Sequence, residues 1–177
     1  MGVKKNLKTL GKAILIIAVC FFIFMQIVPS INSSSSKFSK SSSKNTFEPA
    51  FQKEGIGYFS NDLGDTIAEF QIELAESNRE IQIGMMWRKS MSKEMGMLFL
   101  MPEEKIQSFW MKNTYVPLDI IYINSEMRVV SIINNAKPMS ENPLPSMEPA
   151  NFILEVSGGT CAKLGIQTGN LWKWKRN

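Results

Sequence analysis

Four ionisable side chains lie in or beside apolar runs of this 177-residue chain: Arg88, Lys112, Asp119 and Glu155. A charge in such a run is costly to bury unless it is paired or hydrogen-bonded. Carboxylates next to cations can serve as acid and base, or can hold a ligand in a pocket. The same four groups can instead pair with one another, or cap turn amides, and so fix the register of strands. The sequence leaves both interpretations open.

A short polar turn, residues 112–114, separates two apolar runs, Gln107–Met111 and Leu118–Ile123. Proline restricts the residue before it and cannot donate to a strand ladder, so Pro117 predicts a turn before the second run. That run is apolar apart from Asp119. Such a run is typical of a strand that is buried on both faces or closed into a barrel.

If these groups converge, the site would combine charged, neutral and aromatic side chains. The amide and hydroxyl of the polar turn would exchange hydrogen bonds with a ligand, and an indole would form an apolar wall. This set suits a small polar or anionic ligand such as a sugar or a cell-wall fragment. The candidate ligand-binding residues are Arg88, Trp110, Lys112, Asn113, Thr114, Asp119 and Glu155.

The residue types that are missing limit the chemistry. The chain has no histidine, which removes the commonest general base and the commonest metal ligand. Seven methionines between Met85 and Met111 could offer thioethers to Cu(I), but several lie in apolar runs, where methionine fills gaps in a core. Cys161 is expected to be buried, although a position near the start of a helix would lower the pKa of its thiol. We therefore predict no metal site and no cofactor.

The charge is unevenly distributed along the chain. Residues 1–46 carry seven lysines and no acid, whereas residues 47–177 carry thirteen basic and sixteen acidic side chains, a net charge of −3. A mildly acidic domain does not favour a nucleic-acid partner. The sequence therefore predicts that the domain has no nucleic-acid face.

The N-terminal segment predicts export. Lysines precede an apolar stretch over residues 13–28, which indicates either a signal peptide or an N-terminal membrane anchor within residues 1–30. Residues 31–46 are rich in serine and lysine and are predicted to be a flexible linker. Residues 47–177 are then a single globular domain, periplasmic or extracellular, and attached to the cytoplasmic membrane if the segment stays uncleaved.

The remaining patterns predict a β-rich domain. A capping box, Ser77 to Glu80, is expected to open a helix through Trp87, with Arg88 at its C-terminal end. A second short helix should follow residues 158–159 and end at Gly165. Pro102 is expected to end a strand, and residues 134–149 to form an irregular loop. The predicted strands are Ile56–Phe59 (an edge strand), Thr66–Ala75, Gly96–Met101, Gln107–Met111, Leu118–Ile123, Arg128–Ile133, Phe152–Val156 and Leu171–Trp174.

These elements predict an α+β, β-dominated fold, either a small β-barrel or a strongly curved, mostly antiparallel sheet with two short helices. Leu118–Ile123 and Arg128–Ile133 are expected to form a hairpin, which needs only the four-residue loop 124–127.

The stretch FWMKNT at residues 109–114, followed by PLD at 117–119, resembles the central signature of the domain of unknown function 192 family. GMMWR at 84–88 and GMLF at 96–99 fall in the same order as in that family. The likeness covers about residues 67–172. The family consists of small uncharacterised bacterial and archaeal proteins, many of them exported. The resemblance implies a compact, strand-rich fold and no particular reaction.

Three functions fit the sequence. The first is a non-catalytic binding or accessory module of the cell envelope, for a small polar ligand or a partner surface. The second is a hydrolase-like or lyase-like enzyme that uses Asp119 or Glu155 as acid or base, with Lys112 or Arg88 as an electrostatic stabiliser. The third is a purely structural interaction domain. Two carboxylates lining an open cleft would favour the enzyme, whereas two carboxylates locked in ion pairs would favour the others.

Overall fold

The computed structural model describes residues 48–177. The signal peptide or anchor predicted within residues 1–30, and the linker predicted for 31–46, lie outside the described residues. Between residues 48 and 177, no helix has the length and apolar content needed to cross a membrane.

Strands dominate this part of the chain. The elements are β1 (Gly55–Ser60), β2 (Thr66–Ala75), α1 (Asn78–Ile83), β3 (Met95–Lys105), β4 (Ser108–Phe109), β5 (Leu118–Ile123), β6 (Val129–Ala136), β7 (Leu144–Pro145), β8 (Ala150–Ser157), α2 (Thr160–Leu164) and β9 (Leu171–Arg176). Seven strands form one sheet in the order β6-β5-β8-β3-β2-β1-β9, and β4 pairs with β7 in a separate two-stranded sheet. Neighbouring strands are antiparallel, except that β2 and β3 are parallel. The prediction of a β-dominated fold with a mostly antiparallel sheet and two short helices is confirmed.

Helix α1 lies in the connection between the two parallel strands, which need a crossover rather than a tight turn. Its predicted capping box is present: the Ser77 hydroxyl accepts from the Glu80 amide, and the Glu80 carboxylate accepts from the Ser77 amide at 2.9 Å. The helix ends at Ile83 because Gly84 takes a φ of +47°, outside the helical region. The prediction that the helix continues through Trp87 is therefore wrong.

Strand β5 is buried along its whole length, since all six of its residues are buried. Its neighbours are β6 and β8. Successive side chains of a strand point to opposite faces. Accordingly, Ile121 packs in the cluster that contains Trp172, whereas Ile120 packs in the cluster that contains Phe99. The expectation of a strand buried on both faces is confirmed.

The segments at the two edges of the large sheet contact each other. Arg128, just before β6, forms an isolated bridge with Leu171 at the start of β9. The Val129 amide donates to the Asn170 carbonyl at 3.0 Å, and the Gly169 amide donates to the Val129 carbonyl at 2.9 Å. The sheet is therefore linked from edge to edge over a short stretch, while a closed barrel stays a prediction.

Three local predictions differ from the structure. Strand β1 is not an edge strand, because β9 pairs with it on the side away from β2. Strand β3 does not end at Pro102 but continues to Lys105. Its pairing with β8 is interrupted between Leu100 and Lys105, so the missing N–H of Pro102 breaks no ladder hydrogen bond. Within residues 107–111 only β4 is a strand, and its partner β7 lies in the stretch that was expected to be irregular.

Candidate ligand-binding site

Asp119, on β5, is fully buried, and its carboxylate accepts three backbone hydrogen bonds. Oδ1 accepts from the amides of Asn135 at 2.7 Å and Gly159 at 3.0 Å, and Oδ2 accepts from the amide of Cys161 at 2.8 Å. Gly159 is the residue before α2 and has no side chain that could cap the helix. The carboxylate of Asp119, on β5, therefore accepts the hydrogen bonds of the amides of Gly159 and Cys161 at the helix start. Asp119 thus joins β5 to the end of β6 and to α2. The sequence left two structural roles open for Asp119, an ion pair with Lys112 or Arg88 and the capping of turn amides, and the structure shows the capping.

The thiol of Cys161 lies beside this carboxylate and is buried, as expected. Burial, and then the charge of Asp119, raise the pKa of the thiol well above its ordinary value. The expected lowering by the helix start is therefore wrong, and a reactive thiolate is not favoured here.

Arg88 is buried and pairs with Glu73 on β2, where Nη2 lies 2.7 Å from Oε1. Its Nε atom is buried and has no hydrogen-bond partner. Because α1 ends at Ile83, the helix dipole does not account for the position of this arginine. Glu73 stands at an ordinary polar position of β2, so no sequence signal distinguished it as the partner.

The polar turn is held from two sides. Asn113 adopts a left-handed conformation with φ +54°, and its carbonyl accepts from the Trp87 amide at 2.8 Å. Thr114 is buried, its hydroxyl donates to the Lys112 carbonyl at 3.2 Å, and its own carbonyl accepts from the Met139 amide at 3.1 Å. The turn therefore connects the segment after α1 to the loop after β6.

Lys112 points outward. Its Nζ lies 3.7 Å from the Glu141 carboxylate and 5.1 Å from the centroid of the Trp110 ring. The side chain is 40% exposed.

Glu155, on β8, differs from Asp119 because its buried Oε2 atom has no hydrogen-bond partner. Desolvation by burial raises the pKa of this carboxyl to about 8, although the Arg88 guanidinium acts in the opposite direction. A group whose pKa is raised by burial and that borders a cavity is a candidate for binding or proton transfer.

Glu155 lies in the wall of a pocket of about 220 Å³, which is otherwise formed by apolar, thioether, aromatic and uncharged polar groups. Glu155 is the only ionisable residue among those that line it. Trp110 is 44% exposed and so stands where the wall meets solvent. The lining residues are Ile81, Gln82, Ile83, Gly84, Met85, Met86, Phe99, Met101, Gln107, Ser108, Phe109, Trp110, Thr114 and Glu155.

The structure divides the seven predicted site residues. Trp110, Thr114 and Glu155 line the same pocket. Arg88 lines a different pocket, of about 360 Å³, together with its partner Glu73. The other three predicted residues, Lys112, Asn113 and Asp119, line neither of these two pockets.

Several residues that line the pocket were not among the predicted site residues, and Gly84 illustrates the reason. A Cβ atom at this position would lie 3.0 Å from a ring carbon of Phe99 and 3.8 Å from Oε2 of Glu155. The absence of a side chain at Gly84 therefore leaves room beside the carboxyl of Glu155. The position of Gly84 after an amphipathic stretch was a sequence signal for the end of α1. It gave no signal for the pocket, because Phe99 and Glu155 are distant from Gly84 in the sequence.

The chain matches the family model described as Uncharacterized ACR, the domain of unknown function 192 family, over residues 60–174. The chain belongs to this family, as the resemblance of its central signature predicted. No curated protein matches the chain.

Two solved structures are similar to this fold. A protein of unknown function from Novosphingobium aromaticivorans DSM 12444 is 38% identical, with a TM-score of 0.64 over 67% of this chain and 84% of that one. A protein from Sinorhizobium meliloti 1021, described as a candidate transcription regulator, is 35% identical, with a TM-score of 0.66 over 72% of this chain and 97% of that one.

Replacing Asp119 with Asn should lower the free energy of unfolding by about 3 kcal/mol, because an amide NH₂ then faces a buried N–H and the charged acceptor is lost. Urea denaturation measures the loss. Asp62→Asn is the control, since its side chain is 85% exposed and should change stability by less than about 0.5 kcal/mol. Asp119→Asn and Lys112→Met should be additive, because Lys112 pairs with Glu141. Strong coupling between the two would contradict this structure.

Glu155 should make the domain less stable as pH rises. Its pKa is about 8 in the folded state against an ordinary value of 4.5, so between these pH values the unfolded state binds fewer protons than the folded state. The free energy of unfolding should therefore fall by up to about 1.4 kcal/mol per pH unit from about pH 4.5 to pH 8. Glu155→Gln should remove this part of the slope.

Denaturation of both proteins at several pH values measures the effect, and the difference between them isolates Glu155 from other titrating groups. Parallel stability curves for the two proteins would show that Glu155 titrates normally.

Proposed function

We propose that this domain binds a small amphiphilic molecule in the Glu155 pocket. The apolar part of the ligand packs against Phe99 and Phe109, and its polar group hydrogen-bonds to the carboxyl of Glu155. The observation that carries the proposal is the unpartnered Oε2 atom at the pocket wall. Leaving a buried polar atom without a partner costs about 1–3 kcal/mol, and a ligand that supplies the partner recovers this free energy.

The size of the pocket limits the ligand. An apolar cavity of about 150 Å³ is large enough for benzene. The Glu155 pocket, at about 220 Å³, accommodates a single ring or a short branched chain with one polar group. Its lining is more apolar than a site for a sugar or a cell-wall fragment requires. The ligand we propose is therefore less polar than the one expected from the sequence.

A second candidate is an enzyme in which Glu155 transfers a proton. A carboxyl whose pKa is about 8 can act as general acid and base near neutral pH. Asp119 does not support this role, since its two oxygens are occupied by three amides. The pocket lining contains no second ionisable group that could act as the partner acid or base. These observations favour binding over catalysis.

A nucleic-acid partner, which the description of the Sinorhizobium protein would suggest, is not part of the proposal. Residues 47–177 carry a net charge of −3, and binding to a phosphate backbone depends on a basic surface.

The binding proposal predicts that small aromatic fragments shift the NMR resonances of pocket residues in the full-length chain. Trp110→Ala removes a half-exposed wall residue and should weaken binding about tenfold with little loss of stability. Tyr115→Ala is the matched control, because Tyr115 is a similarly exposed aromatic residue that does not line the pocket. Equal losses in both variants, or shifts located elsewhere, would count against the pocket as the binding site.

We also propose that the domain is exported, with its N-terminal segment either cleaved as a signal peptide or kept as a membrane anchor. The support is the lysine-rich start followed by the apolar stretch of residues 13–28. Alkaline phosphatase fused after Asn177 should be active, because this reporter folds only after export. A stable but inactive fusion would contradict the proposal.

A further inference from the structure

We infer that the ligand of the Glu155 pocket is an organic ammonium ion whose charged nitrogen lies against the carboxylate. The inference rests on the proposed binding function and specifies the chemical class of the ligand. It depends on the charges around the pocket, on the aromatic lining and on the environment of Glu155.

The charges around the pocket favour a cation. Glu155 is the one ionisable residue in the lining, so an anionic ligand would meet a carboxyl and no positive group there. Arg88, whose charge acts on Glu155, does not line this pocket and pairs through Nη2 with Glu73 at 2.7 Å. Lys112 does not line it either and lies 3.7 Å from Glu141. A cationic ligand would supply the opposite charge that a buried carboxylate at Glu155 needs.

The aromatic lining suits the same class of ligand. Phe99, Phe109 and Trp110 all face the pocket, and the Phe99 and Phe109 rings meet edge to face at 4.9 Å. Aromatic faces attract cations, most strongly the indole of tryptophan. Lys112 already lies over the Trp110 ring, with its Nζ 5.1 Å from the centroid, so the aromatic contribution to binding comes mainly from Phe99 and Phe109.

Binding of an ammonium ion changes the charge of Glu155. In the free protein at pH 7 the carboxyl is mostly protonated, because its pKa is about 8. An ammonium ion next to it favours the carboxylate, so the carboxyl proton passes to solvent while the ligand keeps its own protons. At pH 7 about one proton should therefore be released per ligand bound. The other groups that act on Glu155 are Arg88, which favours the carboxylate, and Tyr122, whose hydroxyl is engaged with the Leu144 carbonyl.

The test compares three probes of nearly equal size, benzylamine, benzyl alcohol and benzoate, by calorimetric titration of the full-length chain at pH 7. Each titration is repeated in phosphate and in the zwitterionic sulfonate buffer MOPS, because their different ionisation enthalpies reveal proton release and neither buffer is a primary ammonium ion like the proposed ligand. Benzylammonium should bind at least tenfold more tightly than benzyl alcohol and release about one proton, and benzoate should bind most weakly. Glu155→Gln should abolish both the tenfold preference and the proton release.

The outcomes separate this inference from the proposed function. If benzyl alcohol binds as tightly as benzylamine, or if Glu155→Gln keeps the preference for the amine, the ammonium inference is overturned while the pocket still binds small ligands. If none of the three probes binds, the proposed function fails and the inference fails with it.

Discussion

The fold depends most on the three backbone hydrogen bonds that the Asp119 carboxylate accepts inside the core. A charged oxygen that accepts N–H bonds makes stronger hydrogen bonds than a neutral acceptor does. Here the bonds join the buried strand β5 to the end of β6 and to the start of α2. Without them, the amides of Gly159 and Cys161 would be left at a helix start that has no side-chain cap. One buried acid thus fixes the positions of three elements.

The second buried acid, Glu155, lies one strand away and has the opposite environment. In the pairing of β5 with β8, Ile120 is opposite Glu155 and Asp119 is opposite Val156. Asp119 is satisfied by amides from chain segments that pack over it, whereas Glu155 faces an apolar pocket and keeps one oxygen without a partner. The number of donors within reach therefore distinguishes a structural carboxylate from one that is available to a ligand.

The stretch that carries the family resemblance serves both purposes. Within residues 109–119, Asp119 holds the core together and the left-handed Asn113 shapes the turn. Phe109, Trp110 and Thr114 line the pocket next to Glu155. The short polar turn therefore fixes the position of the pocket wall relative to strand β5. This explains why the sequence alone left open whether these polar residues form a binding site or fix the register of strands.

Local sequence rules determined the buried strand β5, the capping box at Ser77 and the helix end at Gly165, since each depends on neighbouring residues only. Only the tertiary structure decided that β9 pairs with β1, that Arg88 pairs with Glu73, and that Glu155 meets Gly84 across a pocket. An alternating or continuous apolar pattern shows that a strand is buried, but it does not specify which strand lies beside it. Partners that are distant in the sequence are selected by the packing of the whole sheet, which no local pattern encodes.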